Sequence, residues 1–338
     1  MMRHPPKLVP MLGLAAIFAA APGCSSDASG KPGTTGARGA RDGAGGSGTS
    51  GRGPTRAGAS EREQRFFRID ALITQWDAQQ ADGREVEATA LATEIGRDVD
   101  QGYADFAAAS RGDSGLKAQY LAVKALAFSK NREATALLVA RLGEQDPDLV
   151  SNALIAIKIR DDATTSLPPL VALLRSRAPA VRRFAPLAFA NVLMARERAG
   201  MTLDATTTEQ ATTNLVGLVQ DRDPFVRLHT AKAMGALRRP ATNDLLVLLL
   251  SDEHLRIRLA AAAALERIGD PRTFPKVVEM LDNVDADGKI LVRDILVSYA
   301  ERLDGAPLSE AQKTSLSVSP RAWEQWFASR KSATTPGR

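Results

Sequence analysis

The sequence has 338 residues, of which 44% are hydrophobic but only 5% aromatic. A core built mainly from Ala, Leu, Val and Ile favours close-packed helices, because strands prefer β-branched and aromatic residues. The net charge of +5 lies ahead of residue 66, since residues 66–338 are neutral in sum. A nucleic-acid-binding domain concentrates positive charge on its folded surface. We therefore expect no nucleic-acid partner.

Residues 1–23 have the pattern of an export signal. Arg3 and Lys7 supply positive charge, and an apolar segment of 14 residues runs from Leu8 to Ala21. A membrane-spanning helix needs about 20 apolar residues, so this segment is too short to span a membrane. The segment is typical of a signal peptide that is removed on export.

Cys24, the only cysteine, follows this segment directly. The stretch Ala21-Pro22-Gly23-Cys24 resembles the lipobox of bacterial lipoproteins. The resemblance implies that Cys24 becomes the first residue of the exported protein and carries lipid. Ser25 resembles the residue that sorts such lipoproteins to the outer membrane, which implies a periplasmic or surface-facing location. The alternative is an ordinary cleaved signal with an incidental cysteine.

Residues 24–60 are predicted to be a disordered linker. From Ser25 to Ser60 there is no Val, Ile, Leu, Met, Phe, Trp or Tyr, and Gly occupies 11 of 36 positions. Such a segment cannot bury enough apolar surface to offset its ordering entropy. A flexible chain of this composition spans about 30–36 Å root-mean-square, enough to hold a folded body clear of a membrane.

Residues 61–112 are predicted to form an N-terminal helical cap. In RFFRIDALITQWDAQQ, apolar residues recur at helical spacing, at Phe66, Ile69, Ile73 and Trp76. This spacing indicates one apolar helix face, which we expect to cover the first repeat of the array that follows.

Residues 113–304 contain an internal repeat. The clearest copy is SDEHLRIRLAAAAALERIGDP at 251–271, and its skeleton recurs upstream in DRDPFVRLHTAKAMGAL and RAPAVRRFAPLAFANVL. Each copy predicts a first helix with a Val-Arg and Ala-rich pattern and a second helix with Leu at helical spacing. Two-helix units cannot cover their own apolar faces, so they must stack. The anchor positions of the six copies are Ala118, Leu149, Val181, Val226, Ile257 and Val292.

The motif R-x-x-A-A-x-A-L-x-x-I-G-D in Arg258–Asp270 resembles HEAT repeats. The resemblance is to the short kind, about 30 residues long, first associated with phycobilin lyases and widespread in bacteria. It implies an all-α fold, namely a right-handed α-solenoid of about six two-helix repeats with helical caps. It also implies a protein partner that binds along the extended surface of the solenoid.

Two rows of charged residues accompany the repeats. We expect the acids to cap helix starts and each arginine to pair with the acid of the neighbouring repeat. A row of ligand-binding acids is the alternative. The acids, five positions before the anchor, are Asp113, Glu144, Asp221, Asp252 and Asp287, and the arginines, directly after it, are Arg182, Arg227, Arg258 and Arg293.

Two segments interrupt the regular spacing. Gly200–Glu209, GMTLDATTTE, is predicted to be a Thr-rich loop that serves either a binding face or no function. The second segment, 283–294, resembles an EF-hand loop, with Lys289 adding a positive charge inside it. A calcium site and an extended turn between repeats are both compatible with it; the matching residues are Asn283, Asp285, Asp287, Gly288, Ile290 and Asp294.

Residues 305–330 are predicted to form a C-terminal cap. SPRAWEQWFASR places Trp323, Trp326 and Phe327 on a short helix and resembles the tryptophan-bearing tail that closes many bacterial HEAT arrays. We expect these rings to cover the last core, with an exposed aromatic binding patch as the alternative. Residues 331–338 are predicted to be a disordered tail.

The side chains of common enzyme chemistry are scarce. Once the signal is removed, the remaining histidines are His229 and His254, and Cys24 is taken by lipid. No P-loop, G-x-S-x-G or dinucleotide-binding motif occurs. We therefore expect no catalytic residue, cofactor, metal or small-molecule substrate.

The sequence thus predicts a non-catalytic, membrane-tethered HEAT-repeat scaffold that mediates protein–protein interaction at the bacterial cell envelope. The alternative is an accessory subunit or a lyase-like HEAT protein that assists an enzyme. DNA binding is a third interpretation, which export and the neutral sum of residues 66–338 disfavour.

Overall fold

The computed structural model describes residues 60–333. The predicted export signal (1–23), the lipidation residue Cys24 and the linker up to Ala59 lie outside the described residues, as do residues 334–338. No helix between Ser60 and Ala333 combines the length and the apolar composition needed to cross a membrane. Regular structure in this range is helical, with short 3₁₀ turns at Pro240–Thr242, Pro271–Thr273 and Glu279–Asp282. The α-helices are α1 (Glu61–Ala81), α2 (Glu85–Gln101), α3 (Tyr103–Ser110), α4 (Leu116–Leu126), α5 (Glu133–Arg141), α6 (Pro147–Arg160), α7 (Leu167–Leu173), α8 (Pro179–Arg198), α9 (Ala205–Val216), α10 (Pro224–Leu237), α11 (Asn243–Leu249), α12 (Leu255–Ile268), α13 (Phe274–Val278), α14 (Ala286–Asp304), α15 (Glu310–Leu316) and α16 (Pro320–Ala333).

A residue of the predicted linker takes part in the start of the first helix, and the last helix runs past its predicted boundary. Ser60, assigned to the linker, caps α1: its hydroxyl accepts the Glu63 amide at 3.3 Å, and the Glu63 carboxylate accepts the Ser60 amide at 2.8 Å. At the other end α16 includes residues 331–333, the start of the predicted disordered tail. The helix continues because neither Gly nor Pro interrupts the sequence between Pro320 and Pro336.

The chain divides into two compact units within α2, between Asp98 and Val99. The first unit contains α1 and most of α2. Arg68 of α1 pairs with two acids of α2, Glu94 at 2.8 Å and Asp98 at 2.9 Å. Its buried core includes Ile69, Ile73, Ala88 and Ile95.

The second unit, from Val99 onward, is an α-solenoid of paired helices. The first helices of successive repeats, α4, α6, α8, α10, α12 and α14, pack side by side as one layer, and the second helices α5, α7, α9, α11 and α13 pack against them. Every anchor position lies in a first helix, and five of the six are buried, the exception being Ala118. The predicted all-α solenoid is confirmed.

Pro, Asp and Gly determine where the helices begin and end. Pro147 and Pro224 are the first residues of α6 and α10, where a missing amide loses no hydrogen bond. The preceding Asp146 and Asp223 each accept the amide two residues on, at 3.0 and 2.9 Å. Gly269 ends α12 with φ 74°, a left-handed conformation that glycine adopts without strain.

Small side chains set the distance between neighbouring first helices. Gly235 of α10 faces Ala264 of α12 so closely that a Cβ on Gly235 would lie 2.8 Å from both the Cα and the Cβ of Ala264. Because helices interlock at close-packed density, the Ala-rich pattern that predicts the helices also determines how closely they stack.

The third repeat is longer than its neighbours, but the predicted loop at 200–209 is shorter than expected. α8 is 20 residues long, and α9 begins at Ala205. The loop prediction is therefore wrong for residues 205–209, which form the first turns of α9. Asp204 overrides the weak helix propensity of the Thr-rich sequence, because its carboxylate caps α9 by accepting the Thr207 amide at 2.8 Å.

Aromatic side chains close the last repeat. Trp323 is fully buried, and its indole N–H donates to the Ser317 carbonyl at 3.0 Å. Phe274 of α13 contacts Trp326 and Phe327, with ring centroids 5.4 and 5.0 Å away, and packs edge-on against Trp323 at 6.2 Å. The prediction that these rings cover the last core is confirmed.

Candidate partner-binding surface

Arginines of one repeat pair with acids that precede the next repeat. These acids lie in what we call the joints, the loops that connect the second helix of one repeat to the first helix of the next. Arg182 Nε donates to Asp221 Oδ2 at 2.6 Å, and Arg227 Nε donates to Asp252 Oδ2 at 2.7 Å. Each carboxylate also accepts the backbone amide two residues on, at 2.9 and 3.0 Å. The predicted pairing is confirmed for these two repeats, where the acids order the joint.

The other positions of these two rows differ from the prediction. Arg258 donates to two carbonyls of its own joint, and its buried Nε has no hydrogen-bond partner among residues 60–333. Arg293 pairs with the adjacent Asp294 at 2.6 Å. The capping role expected for Asp221 is wrong, because α10 starts at Pro224 and only the directly preceding Asp223 can reach its free amides.

A second set of arginines, which the sequence analysis missed, lies at the C-terminal ends of the first helices. Arg160, the last residue of α6, donates to the carbonyls of Leu126, Ser129 and Asn131 in the preceding repeat, at 3.2, 2.5 and 2.7 Å. The Leu126 and Asn131 carbonyls also accept the backbone amides of Ser129 and Ala134, so Arg160 adds a further hydrogen bond to each. An arginine recurs in the last turn of α6, α8, α12 and α14, and this pattern could have predicted the set from the sequence. The equivalent bonds are Arg196 to the Thr165 carbonyl and Arg267 to the Gly235 carbonyl.

Charge is distributed unevenly between the first helices and the joints. The helices α6, α8, α10 and α12 contain eleven Lys and Arg residues but three Asp and Glu residues. Compensating acids lie in the joints, among them Asp221, Asp223 and Asp252. The neutral sum over residues 66–338 therefore hides a basic helix layer, which a charge count for each predicted helix would have found.

Four cations, one from each of these helices, define what we call the basic face: Lys158, Arg183, Lys232 and Arg256. Lys158, Arg183 and Arg256 are exposed, and Lys232 is partly exposed. Arg183 pairs with Asp223 at 3.2 Å. Within the described part of the chain, neither Lys158 nor Arg256 has an ion-pair partner. The basic face thus presents positive charge that joint acids compensate only in part.

Apolar side chains accompany the cations of the basic face. Leu187 of α8 and Leu228 of α10 are partly exposed. The Arg183 guanidinium lies over the Phe225 ring, 4.8 Å from its centroid, and Phe184 packs edge-on against the same ring at 5.8 Å. This combination of rings, aliphatic groups and cations is suited to an amphipathic ligand.

The cations of the basic face lie close enough to affect one another. Desolvation, together with the charges of Lys158 and Arg256, lowers the pKa of Lys232 from 10.5 to about 8. Desolvation also lowers the pKa of Lys158. An anionic group bound at the basic face would relieve this repulsion.

His229 lies buried beside the basic face. Its Nδ1–H donates to the Phe225 carbonyl at 2.8 Å, and the two rings lie 4.0 Å apart between centroids. Desolvation, followed by the charge of Lys232, lowers the pKa of His229 to about 3, so the ring is neutral at pH 7. The other predicted histidine, His254, is exposed in the joint before α12, and the structure does not bring the two together.

Asp252, Glu253 and His254 form a compact group whose oxygen and nitrogen atoms lie within 4.8 Å of one another. Arg227 donates to both carboxylates, at 2.7 and 3.2 Å. An internal cation therefore already compensates these acids, and the group serves as an ion-pair network in the joint.

The EF-hand-like residues 283–294 form a helix start. The Asp285 carboxylate accepts the Gly288 amide at 2.8 Å and caps α14, which begins at the next residue. Asp287 and Asp294 therefore lie along a helix, and helical geometry cannot wrap these oxygens around one ion. The structure matches neither the calcium loop nor an extended turn, because residues 286–294 belong to α14.

The paired helices and their layered packing define the second unit as an α-solenoid. Residues 211–291, from within α9 to within α14, match the family model of HEAT repeats. This range contains the Arg227–Asp252 pair and the close contact of Gly235 with Ala264. This part of the solenoid, residues 211–291, therefore matches HEAT repeats, as the sequence motif predicts.

Comparison with solved structures finds repeat proteins at low sequence identity. The designed armadillo repeat protein YIII(Dq)4CqI is 19% identical, aligns over 58% of this chain and 98% of its own, and has a TM-score of 0.44. The complex of CpcE and CpcF of phycocyanin lyase from Nostoc sp. PCC7120 is 17% identical over 76% of this chain and 99% of that chain, with a TM-score of 0.39. None of the curated proteins matches the sequence.

Proposed function

We propose that this protein is a non-catalytic scaffold that lipid at Cys24 tethers to a bacterial envelope membrane and that binds a protein partner on its HEAT-repeat solenoid. The basic face carries the binding part of the proposal. It extends over four consecutive first helices and combines exposed cations with apolar side chains. Such a surface is suited to protein recognition, in which buried apolar groups and charge complementarity act together.

The chemistry of the remaining polar groups supports a scaffold rather than an enzyme. The acids Asp221 and Asp252 hold the joints through arginine pairs. His229 is buried and neutral with one ring nitrogen bonded, and His254 belongs to the ion-pair network of its joint. The two acids and His254 thus take part in contacts between or beside repeats, which supports a structural role.

The sequence of residues 1–60 supports the proposed attachment to a membrane through lipid. Cys24 follows an apolar export segment and precedes a Gly-rich linker of low apolar content. A lipid on Cys24 attaches the chain, and the linker allows the solenoid to reach a partner at the periplasmic or surface side of the outer membrane.

Membrane fractionation with radiolabelled palmitate tests the tether. We expect the wild-type chain to incorporate label and to fractionate with the outer membrane, and the Cys24→Ser variant to lose both properties. Ser25→Ala is the matched control, and it should keep the label. If wild type and Cys24→Ser both fractionate as soluble, the lipoprotein proposal is wrong.

Photo-crosslinking in intact cells tests partner binding. A photoreactive residue in place of Leu228, at the basic face, should crosslink the full chain to the same protein in every replicate. The same photoreactive residue in place of the exposed Gln64 should give no such crosslink. The scaffold proposal fails if neither position yields a crosslink. A covalent change in the captured partner that requires this chain would instead support the accessory, lyase-like role.

A further inference from the structure

We propose that the basic face binds an acidic amphipathic segment of the partner protein, an inference that rests on the proposed scaffold function. Carboxylates of the segment pair with Lys158, Lys232 and Arg256, and its apolar side chains pack on Leu187 and Leu228. The expected partner is therefore a protein with such a segment, and the basic face is the surface that recognises it.

The charge of the first helices favours an acidic ligand. The four helices that form the layer contain eleven basic and three acidic residues. Lys158 and Arg256 are exposed without an ion-pair partner in the described part of the chain, and Lys232 lies between them on α10. Like charges gathered on one surface favour a ligand that carries the opposite charge.

The borders of the face favour a peptide over a nucleic acid. At the helix starts, the joints carry Asp221, Asp223 and Asp252. At the helix ends, Asp161 pairs with Arg198, and Glu197 pairs with Arg238 and Arg267, so this border carries both signs. The acids at the helix starts therefore border the positive charge on one side. A duplex carries one negative charge about every 1.7 Å along its axis and would meet these acids, whereas a single peptide segment is narrow enough to lie beside them.

The N-terminal linker of this chain is not the occupant. Residues 25–59 contain five Lys and Arg residues and two Asp residues, so they are positively charged in sum. The basic face would repel this segment, whereas a segment rich in Asp and Glu from another protein complements it. Leu187 and Leu228, partly exposed among the cations, require apolar side chains in the same segment.

Fluorescence anisotropy with the full chain tests the proposal. The probe is a labelled peptide of alternating Glu and Leu, compared with a Gln/Leu peptide, a Lys/Leu peptide and a single-stranded oligonucleotide. The face variant carries Lys158→Glu, Lys232→Glu and Arg256→Glu. The matched control variant carries the same charge change outside the basic face, at exposed positions in loops between helices, as Lys130→Glu, Arg222→Glu and Arg239→Glu. Circular dichroism checks that both variants remain helical.

We expect saturable binding of the Glu/Leu peptide, weakening by about tenfold or more in the face variant and by less than about threefold in the control variant. The milder Lys158→Gln and Arg256→Gln pair should weaken binding severalfold, which keeps the test valid if the triple variant unfolds. Equal losses in face and control variants would overturn the proposal. So would equal binding of the Gln/Leu peptide or tighter binding of the oligonucleotide.

Failure of this inference is distinguishable from failure of the scaffold function. If the face variant still crosslinks the cellular partner as wild type does, the proposal of an acidic segment is wrong and the proposed scaffold function stands. If the Glu/Leu peptide binds the basic face but wild type captures no partner in cells, the chemistry of the face stands and the scaffold function is wrong.

Discussion

Arg227 Nε and Asp252 Oδ2 lie 2.7 Å apart and join two consecutive repeats through side chains that are 12% and 7% exposed. Removing one member of a nearly buried pair leaves the other charge uncompensated. The pair also brings Asp252 into position to accept the His254 amide at 3.0 Å, so one contact orders both the joint and the start of α12.

Replacing Arg227 should destabilise the solenoid. We expect Arg227→Met to lower the free energy of unfolding by about 2–4 kcal/mol, since it leaves the carboxylate of Asp252 without its cation. Arg198→Met is the control, because its pair with Asp161 is more than half exposed and its loss should change stability by less than about 1 kcal/mol. Urea denaturation measures both, and equal losses would contradict a structural role for the buried pair.

The close approach of α10 and α12 should not tolerate a methyl group. Gly235→Ala places a Cβ 2.8 Å from Ala264, and we expect it to lower the free energy of unfolding by about 1–3 kcal/mol. Gly217→Ala is the control, since the nearest atom to its added Cβ lies at 3.8 Å. Adding Ala264→Gly to Gly235→Ala should recover part of the loss in urea denaturation; no recovery would argue against the contact as its cause.

Loss of the C-terminal cap should unfold the last repeat locally. Trp323→Ala removes a fully buried ring that packs on Phe274, which costs about 3–5 kcal/mol in a core. Because packing in the solenoid is mainly between neighbouring repeats, hydrogen exchange should accelerate in α13 to α16 and remain unchanged in α6. The exposed Glu324→Ala change should alter neither region, and uniform acceleration along the solenoid would contradict a capping role.

His229 should make the solenoid sensitive to acid. Its pKa is about 3 in the folded protein and about 6.5 when unfolded, so between these values the unfolded chain binds a proton that the folded chain does not. Stability is therefore complete above pH 6.5 and falls as the pH drops toward 3, by up to about 1.4 kcal/mol per pH unit. Urea denaturation at pH 7 and pH 5 should show a smaller difference for His229→Leu than for wild type. An equal difference in wild type and His229→Leu would contradict the burial of a neutral imidazole at this position.

Lys232 should cost stability at neutral pH. Its pKa of about 8 lies below the ordinary 10.5, so the cost of the buried charge is full below pH 8 and disappears as the pH rises through 10.5. We expect Lys232→Met to raise the free energy of unfolding at pH 7 by about 1–2 kcal/mol and to lose this advantage at pH 10.5. The exposed Lys130→Met should change little at either pH. A destabilised Lys232→Met variant at pH 7 would mean that the charge is compensated in the folded protein.

Most elements of the fold could be predicted because their signals are local. Pro224 starts α10, Gly269 ends α12, and apolar residues recur every three or four positions in each helix. The error at residues 205–209 arose because the low helix propensity of a Thr run was weighed without the Asp204 cap. The pairing row failed at Arg258, because the acid expected to pair with it, Asp287, lies inside α14 and not in a joint.

The sequence by itself determined an all-helical fold with two helices per repeat, because helix periodicity and capping depend on residues within each segment of about 30 residues. Only the tertiary structure brought Lys158, Lys232 and Arg256 onto one face, since they come from different repeats and their proximity depends on the stacking of whole helices. That stacking follows from close contacts such as Gly235 on Ala264, whose geometry no local pattern specifies. The sequence therefore defined the repeats, whereas packing between repeats placed the basic charge on one surface.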